Sequence, residues 1–252
     1  YSIQMGNGNL LSNLLQTNIV CEFRKEDIEK GGEGAPLTPI YHHNIKKKLN
    51  LDGSVIFLNI GGIANITISR DNIFFAKDVG PGNCLMDMYI KKFKKIDFDD
   101  NGKIAASGKV DYTLVNNILD HLNYNSKKKH SLDIRDFDIN FVKGLSVENA
   151  LANLNFFTAK MISENIKEEI NENLPIILCG GGRKNSTLVS NLKKFLNNTF
   201  YNIDNFNING DFIESQAFAY LAVRSLYKKH ISFPNTTKVT EAISGGKIIK
   251  FI

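Results

Sequence analysis

The pattern of apolar and polar residues is most informative between residues 55 and 90, where it predicts three strands followed by a helix. In VIFLNI (55–60) apolar side chains occupy both faces, which predicts a strand buried on both sides. Residues 66–68 and 73–76 have the pattern of antiparallel partners of that strand. Residues 82–94 carry apolar side chains at helical spacing, so a helix is expected there.

Helices and short strands alternate along the rest of the chain, which predicts an α/β fold. Apolar residues at helical spacing predict helices over 10–15, 112–122, 147–168, 185–196 and 213–228. Short apolar runs predict strands within 18–23, 175–179 and 199–211. Glycine and proline in 31–36 predict a shaped loop or hinge. Residues 44–53 are expected to form a connection, and residues 123–140 a long polar loop.

Glycine-rich turns follow the predicted strands at 61–62, 80–83 and 180–182. Glycine has no Cβ, so a phosphate or a flat ligand can approach the backbone N–H groups closely. Asn83 lies near the start of the predicted helix, where backbone N–H groups are expected to be free. The alternative interpretation of the triple glycine is a tight strand-to-helix turn.

Charged residues at the ends of predicted strands are a second group of candidates. Asp78 lies at the mouth of the second glycine-rich turn, and a carboxylate beside a phosphate-sized turn suggests group transfer. Arg24 and Asp27 follow the predicted strand at 18–23, where ligand-binding groups often lie in α/β sheets. Glu214 lies in the first turn of a predicted helix. The alternatives are an ordinary solvated loop for Arg24 and Asp27, and pairing with the helix dipole for Glu214.

Composition and charge narrow the function only slightly. The 252 residues carry a formal net charge of +5, and 42% are hydrophobic, as in ordinary globular proteins. Lysine runs at 46–48 and 127–129 lack interleaved aromatic residues, so we interpret them as solvated surface and expect no nucleic-acid partner. No apolar stretch approaches the ~18 residues of a membrane span, so no membrane partner is expected. The three cysteines lie within apolar runs, which favours reduced thiols and a cytoplasmic location.

Several motifs resemble, in their order along the chain, those of the anhydro-N-acetylmuramic acid kinase family. They are FRKED, GGEGAPLTPIYH, NIGGIANIT, DVGPGNCLMD, ASGKV, CGGGRKN, ESQAFAYLA and VTEA. The resemblance implies an RNase-H-like α/β fold of the actin and sugar-kinase superfamily, with two lobes around a nucleotide cleft. It also implies a cytoplasmic enzyme of cell-wall recycling. Such an enzyme would use ATP, Mg²⁺ and water to open the anhydro ring of anhydro-N-acetylmuramic acid and phosphorylate O6, giving N-acetylmuramic acid 6-phosphate.

The resemblance also implies roles for individual residues at the matched positions. Asp78 would be the general base that activates water at the anomeric carbon. Nucleotide-binding roles fall to Gly61, Gly62, Gly180, Gly181, Gly182 and Asn185. Sugar-binding roles fall to Arg24, Asp27, Gly82, Asn83 and Glu214. No residue is assigned as a metal ligand.

The chain begins with Tyr1 inside a strand-like pattern and lacks the family's first phosphate loop, so we expect an N-terminally truncated member. Residues 1–45 would be a remnant of the first lobe with the hinge, and residues 46–252 a complete second lobe. Such a chain is expected to be inactive or nearly so by itself, because half of the phosphate-binding site would be missing. Glu26 and Glu241 replace an arginine and a glycine of the family motifs.

Other functions remain open on the sequence alone. The chain could be a non-catalytic remnant that binds nucleotide or sugar. A glycosidase acting through Asp78 and Glu214 would need no ATP, and two phosphate-binding turns argue against it. A nucleic-acid binder would rest only on the lysine runs. Formation of a homodimer is also left open.

Overall fold

The computed structural model of the protein describes residues 6–71, 73–126 and 132–251, with the side chains of 122–126 outside that description. The chain divides into two compact units, each assembled from separated segments. The first unit contains Tyr1–Gly53, Thr67–Ala76 and Phe212–Ile252, and the second contains Ser54–Ile66 and Lys77–Asp211. Each unit therefore joins parts of the chain that are far apart in the sequence.

The strands within the described residues form two sheets. They are β1 (Ile19–Cys21), β2 (Val55–Ile60), β3 (Ile63–Ser69), β4 (Phe74–Pro81), β5 (Ile176–Cys179), β6 (Phe200–Asn202) and β7 (Lys247–Ile249). One sheet has the order β4-β3-β2-β5-β6, and the other is the antiparallel pair of β1 and β7. β2, β5 and β6 run parallel. The connection from β2 to β3 is only two residues long, which permits only antiparallel neighbours, so the larger sheet is mixed.

Strand β2 lies at the centre of the larger sheet. All of its residues are buried, as its two-sided apolar pattern predicts. β5 is also buried throughout, and in the parallel register Ile56 pairs with Ile176 and Leu58 with Leu178. Aliphatic residues on both faces are typical of parallel strands that are covered on both sides.

The helices in the described part of the chain fill most of the segments between the strands. They are α1 (Gly8–Leu15), α2 (Lys25–Glu29), α3 (Pro39–Lys48), α4 (Cys84–Lys94), α5 (Lys103–Ser107), α6 (Tyr112–Ser126), α7 (Val147–Glu169), α8 (Ser186–Phe195), α9 (Ile213–Leu226) and α10 (Pro234–Thr237). In the second unit, α7 packs against α4, α5, α6 and α8. The hydroxyl of Ser146 accepts a hydrogen bond from the N–H of Asn149 and caps α7, as expected for serine at this position.

The first unit has a separate aromatic and aliphatic core. Its buried members are Phe23, Leu37, Ile40, Phe74, Leu221 and Ile231. The rings of Phe74 and Phe233 meet edge to face, with 4.9 Å between their centroids. This geometry is favourable for aromatic pairs beyond the area that they bury. In this unit α9 packs against α3, β1 and β7.

Helix α3 corrects the prediction of a connection over 44–53, because the helix continues to Lys48. His42 and His43 are buried on it, and their Nδ1 atoms each lie 2.8 Å from a hydroxyl oxygen, of Thr67 and Ser69 respectively. Burial lowers the pKa of His42 to about 4, so this imidazole is neutral. Since polar side chains occupy the inner face of α3, its sequence does not show the apolar period of a buried helix.

The polar segment at 123–140 is more ordered than the predicted long loop. Helix α6 extends to Ser126, and short 3₁₀ turns form at Ile134–Asp136 and Asn140–Val142. The remainder of the expected loop, residues 127–131, lies outside the described residues. The loop prediction is therefore wrong at 123–126, where α6 continues, whereas 132–140 is irregular apart from the 3₁₀ turns.

The predicted α/β fold class is confirmed by the mixed sheet and its helices. The order β4-β3-β2-β5-β6, in which β3 runs antiparallel to β2, agrees with the expected RNase-H-like fold. The predicted strands at 55–60 and 66–68 lie within β2 and β3, and the one at 73–76 is present from Phe74 onward as the start of β4. β4 pairs with β3 and not with β2, so the expectation that 73–76 is a direct partner of the 55–60 strand is wrong. The division into a remnant at 1–45 and a lobe at 46–252 stays a prediction.

Arg183 joins the turn after β5 to the segment after β6. Its guanidinium, 2% exposed, pairs with Asp204 (Nε to Oδ2, 2.8 Å) and Asp211 (Nη1 to Oδ1, 2.9 Å). It also donates a hydrogen bond to the carbonyl oxygen of Gly180 at 3.0 Å. The hydrogen bond from Arg183 lowers the pKa of Asp204. A buried guanidinium needs these acceptors, because an unpaired buried charge is costly.

Replacing Arg183 with methionine should lower the free energy of unfolding by about 1–3 kcal/mol, since both carboxylates are partly exposed and recover some hydration. The pKa of Asp204 is lower in the folded state than in the unfolded state. The stabilisation is therefore present above the unfolded pKa and is lost as the pH falls through the folded pKa. Urea unfolding near neutral pH and near pH 3 would measure both effects.

Lys184→Met is the matched control, because Lys184 pairs with Asp211 from an exposed position. Its cost should stay below about 0.5 kcal/mol. Equal decreases in the free energy of unfolding of the two variants would show that the burial of Arg183 is not the source of the stabilisation.

Candidate active site

Two of the glycine-rich turns are bonded directly to each other in the second unit. The carbonyl oxygen of Gly61 accepts a hydrogen bond from the N–H of Asn83 at 2.8 Å. The carbonyl oxygen of Gly62 accepts from Gly82 at 2.8 Å and from Cys84 at 3.2 Å. The expectation that the backbone N–H groups at Asn83 are free is therefore wrong, because the carbonyls of the first turn use these donors at the start of α4.

Close packing of the turns explains why several of these positions are glycine. A Cβ on Gly82 would lie 2.1 Å from the carbonyl oxygen of Gly61, a backbone atom that cannot swing aside. A Cβ on Gly182 would lie 2.2 Å from Cγ2 of Ile60. Gly180 has a φ of 75°, and a Cβ there would lie 2.7 Å from the carbonyl oxygen of Ile60. The neighbouring chain thus requires glycine at 82, 180 and 182.

No described residue requires glycine at the other three positions, Gly61, Gly62 and Gly181. The nearest described atom to a Cβ at these positions would be 3.6, 4.0 and 3.9 Å away, respectively. These are ordinary van der Waals distances, and an alanine would fit. A glycine that nothing within the described chain requires leaves its backbone open to a bound ligand.

Asn83 lies where all of the turns meet. Its Nδ2 donates a long hydrogen bond of 3.4 Å to the carbonyl oxygen of Ile60, at the end of β2. The same Nδ2 would be 3.2 Å from a Cβ on Gly182 and 3.9 Å from one on Gly181. Asn83 therefore connects the central strand, the triple glycine and the start of α4.

Asp78 lies near the end of β4, the strand that leads into Gly82. Its side chain is half-buried, and Oδ2 accepts a hydrogen bond from the N–H of Leu132 at 3.0 Å. Two residues later, Gly80 has a φ of 144°, a value that L-amino acids rarely adopt. The structure thus places the predicted base on the strand that enters the bonded glycine turns.

A cleft of about 290 Å³ lies beside these turns. Its lining includes Asn83, Asp87, Phe98, Asn101, Gly181 and Asn185. Its volume is close to the lower limit of small-molecule sites in proteins. Three residues predicted from the resemblance, at 83, 181 and 185, therefore border one cavity.

A buried network of amides fixes Asn185 in the wall of the cleft. Oδ1 of Asn185 accepts a hydrogen bond from the N–H of Leu188 at 3.0 Å and caps α8. Nδ2 of Asn155, on α7, lies 3.4 Å from the same oxygen. Oδ1 of Asn155 accepts from Nδ2 of Asn191 at 2.9 Å. The amide orientations are thus set by one another, which makes this wall stiff.

Asp87 is a half-buried carboxylate in the cleft, one helical turn after Asn83. Burial raises its pKa to about 6, and the charge of Asp97 adds to that shift. No described residue donates a hydrogen bond to its carboxylate. Its ionised form is therefore poorly stabilised by the described part of the protein.

The remaining predicted sugar-binding residues lie in the first unit. Asp27, 1% exposed, accepts hydrogen bonds from the N–H of Gly34 at 2.7 Å and the hydroxyl of Thr237 at 2.5 Å. Its carboxylate thus holds the glycine-rich loop at 31–36. Arg24 precedes α2, and its buried Nε finds no acceptor among the described residues. Glu214 is exposed in the first turn of α9.

Two polar residues in the second unit were not among the predicted site residues. Arg183 directly follows the triple glycine, so a sequence signal existed, but its partners at 204 and 211 lie in a polar segment without a motif. Asp87 is the last residue of DVGPGNCLMD, and only the helix shows that it shares a face with Asn83.

A family model described as anhydro-N-acetylmuramic acid kinase matches residues 1–250. The chain belongs to this family. The resemblance found in the motifs is thereby confirmed, together with the assignment to a family of carbohydrate kinases, which are phosphotransferases.

Three relatives that carry the name anhydro-N-acetylmuramic acid kinase illustrate the extent of the match. The one from Pelagibacter ubique (strain HTCC1062) is 48% identical, with 99% of this chain and 69% of the relative covered. The one from Zymomonas mobilis is 39% identical, covering 97% of this chain and 67% of the relative. The one from Methylorubrum populi is 35% identical, covering 98% and 66%. The chain thus spans about two thirds of the length of these anhydro-N-acetylmuramic acid kinases.

Membership in this kinase family supports the expected use of ATP. The individual roles of the predicted site residues stay predictions. Within the described ranges, no helix has the length and apolar character needed to cross a bilayer.

Gly82→Ala should destabilise the protein by about 2–3 kcal/mol, because the added Cβ meets a backbone oxygen that has no room to move. Gly61→Ala is the matched control, since its Cβ would meet no described atom within 3.6 Å. Its effect should stay within about 0.5 kcal/mol. Urea unfolding of both variants provides the measurement, and similar losses in the two would refute the close contact of the turns.

Asp87→Asn should raise the melting temperature at alkaline pH but not near pH 4. The pKa of Asp87 is raised to about 6 in the folded state, so ionisation destabilises the protein as the pH rises from the unfolded pKa through this value. Asparagine cannot ionise, and the expected gain near pH 8 is about 1–2 kcal/mol.

Thermal unfolding followed by circular dichroism from about pH 4 to pH 8 would measure this difference. Asp100→Asn is the control, because Asp100 is exposed and paired with Lys103 at 2.9 Å. A gain for Asp87→Asn that does not change with pH would exclude ionisation as its cause.

Proposed function

We propose that the protein is an anhydro-N-acetylmuramic acid kinase. It uses ATP and water to convert 1,6-anhydro-N-acetylmuramic acid into N-acetylmuramic acid 6-phosphate, with ADP as the second product. The observation that carries the proposal is the family match over residues 1–250, which contains every motif at the bonded glycine turns. Phosphoryl transfer depends mostly on positioning and charge stabilisation, and the glycine turns are suited to both.

Phosphates of ATP would lie against the open backbone of Gly61, Gly62 and Gly181. The support is steric, because these glycines are the ones that no described neighbour requires. Gly82, Gly180 and Gly182 would act indirectly, by allowing the turns to approach one another. Asn185 would border the nucleoside, since it lines the cleft beside the triple glycine.

Asp78 would be the general base. Water attacks the anomeric carbon while Asp78 accepts its proton, and the bond between that carbon and O6 breaks. O6 then attacks the γ-phosphorus, and ADP leaves. The position of Asp78 on β4, four residues before Gly82 of the bonded turns, supports this role.

Arg24, Asn83 and Glu214 would contact the sugar. Arg24 is the best supported of them, because its buried Nε has no acceptor in the described chain. The lactyl carboxylate of a muramic acid would supply that acceptor. Asp27, also expected at the sugar, would act indirectly by shaping the loop at 31–36. Its Oδ1 already accepts from the N–H of Gly34 in that loop, and its Oδ2 accepts from the hydroxyl of Thr237.

Mg²⁺ would be held mainly by the nucleotide. Such an ion needs only one or two protein carboxylates, and the described residues hold no group of three or more His, Cys, Asp or Glu side chains suited to a metal. Bound with ATP, it would neutralise charge on the transferred phosphoryl group. We also place the protein in the cytoplasm, which agrees with the free thiols of its cysteines.

Asp78→Asn in the full-length gene product should lower kcat by about 10²–10⁴-fold, because the amide cannot accept the proton of water. The KM for ATP should change little. Formation of sugar 6-phosphate, followed by mass spectrometry alongside coupled release of ADP, gives the measurement.

Asp120→Asn changes an exposed carboxylate on α6 and is the control, with activity expected to stay unchanged. Full turnover by Asp78→Asn would show that Asp78 is not the general base. Release of unphosphorylated sugar without ATP would instead identify a glycosidase, and absence of any reaction would favour a non-catalytic binding protein.

A further inference from the structure

The carboxylate of Asp87 has no part in the chemistry proposed above. It lines the cleft together with Asn83, Gly181 and Asn185. The N–H of Asp87 donates to the carbonyl oxygen of Asn83 at 2.9 Å, so the two residues are one helical turn apart and share a face. A carboxylate in a cleft, without a described donor, is suited to a ligand that brings donors of its own.

We propose that Asp87 binds the ribose of the nucleotide by accepting hydrogen bonds from its 2′- and 3′-hydroxyl groups. This inference rests on the proposed kinase function. The two oxygens of a carboxylate can accept two hydroxyl donors at once. Acidic side chains hold ribose in this way in dinucleotide-binding folds.

The positions of the lining residues agree with this assignment. Phosphates would lie at Gly61, Gly62 and Gly181, and Asp87 lies one turn, about 5.4 Å, further along the helix that begins there. In ATP a single methylene separates the phosphates from the ribose. The base would then meet Phe98, whose ring is 61% exposed and borders the same cleft.

The other carboxylates of the cleft are already engaged. Asp99 accepts hydrogen bonds from the N–H groups of Ile104 and Ala105, both at 2.9 Å. Asp100 pairs with Lys103, and Asp211 with Arg183 and Lys184. Among the carboxylates that line the cleft, Asp87 therefore remains able to accept hydrogen bonds from a nucleoside.

The test compares ATP with 2′-deoxy-ATP and 3′-deoxy-ATP in the full-length gene product. The unaltered protein should favour ATP in kcat/KM by about tenfold or more, as expected for hydrogen bonds to a charged acceptor. Asp87→Ala should reduce this preference to within about twofold. Asp100→Asn, a change in the same cleft, should leave the ratio unchanged because Asp100 is already paired.

Three outcomes would overturn the proposal. They are an unchanged preference in Asp87→Ala, an equal loss for all three nucleotides, and a shift in the Mg²⁺ dependence of KM without a change in preference. Asp87→Asn keeps nearly the same shape and supplies the comparison if the alanine variant fails to fold.

Calorimetric binding of ADP and 2′-deoxy-ADP to the same variants needs no turnover. If the sugar is not phosphorylated, the kinase proposal fails while the ribose contact is still measured. If phosphorylation proceeds and Asp87→Ala keeps its preference for ribose, only the ribose contact fails.

Discussion

The approach of Gly82 to the carbonyl oxygen of Gly61 is the contact on which the candidate site depends. With no side chain at Gly82, the turn between β2 and β3 can lie against the segment that begins α4 and accept three hydrogen bonds from the backbone N–H groups of residues 82–84. The triple glycine after β5 then packs on Ile60 at the end of β2. One steric condition, the absence of a Cβ, thereby brings three distant segments together.

The glycines of these turns form two groups. Some are required by the close packing of the turns, and others leave open space beside the backbone. Among the described residues, Gly61, Gly62 and Gly181 have no close neighbour that would exclude an alanine, whereas a Cβ at 82 or 182 would overlap atoms of the chain. Stiff surroundings keep that space in place. Arg183 holds the triple glycine to the segment after β6, and the amides around Asn185 set the wall of the cleft. Open backbone on a rigid frame is what a phosphate-binding site requires.

Buried polar groups account for most of what the sequence pattern failed to predict. Helix α3 was missed because the polar residues His42 and His43 share its buried face with aliphatic residues and interrupt the apolar period. The structural roles of Asp27 and Arg183 were missed for a related reason, since their partners lie far away in the sequence. Hydrophobic periodicity detects elements whose inner face is apolar, and a polar inner face is stabilised by specific partners that only the folded chain supplies.

The sequence by itself determined the central strands, the helices at 147–168 and 213–228, the α/β class and the family. These features depend on local period and on motifs, which are present in any conformation of the chain. The tertiary structure alone decided that carbonyls, not free N–H groups, join the turn at Gly61-Gly62 to α4. It also decided that the carboxylate of Asp87 lines a cleft and receives no hydrogen bond from the described residues. Such properties are distances between segments far apart in sequence, and only tertiary packing fixes them.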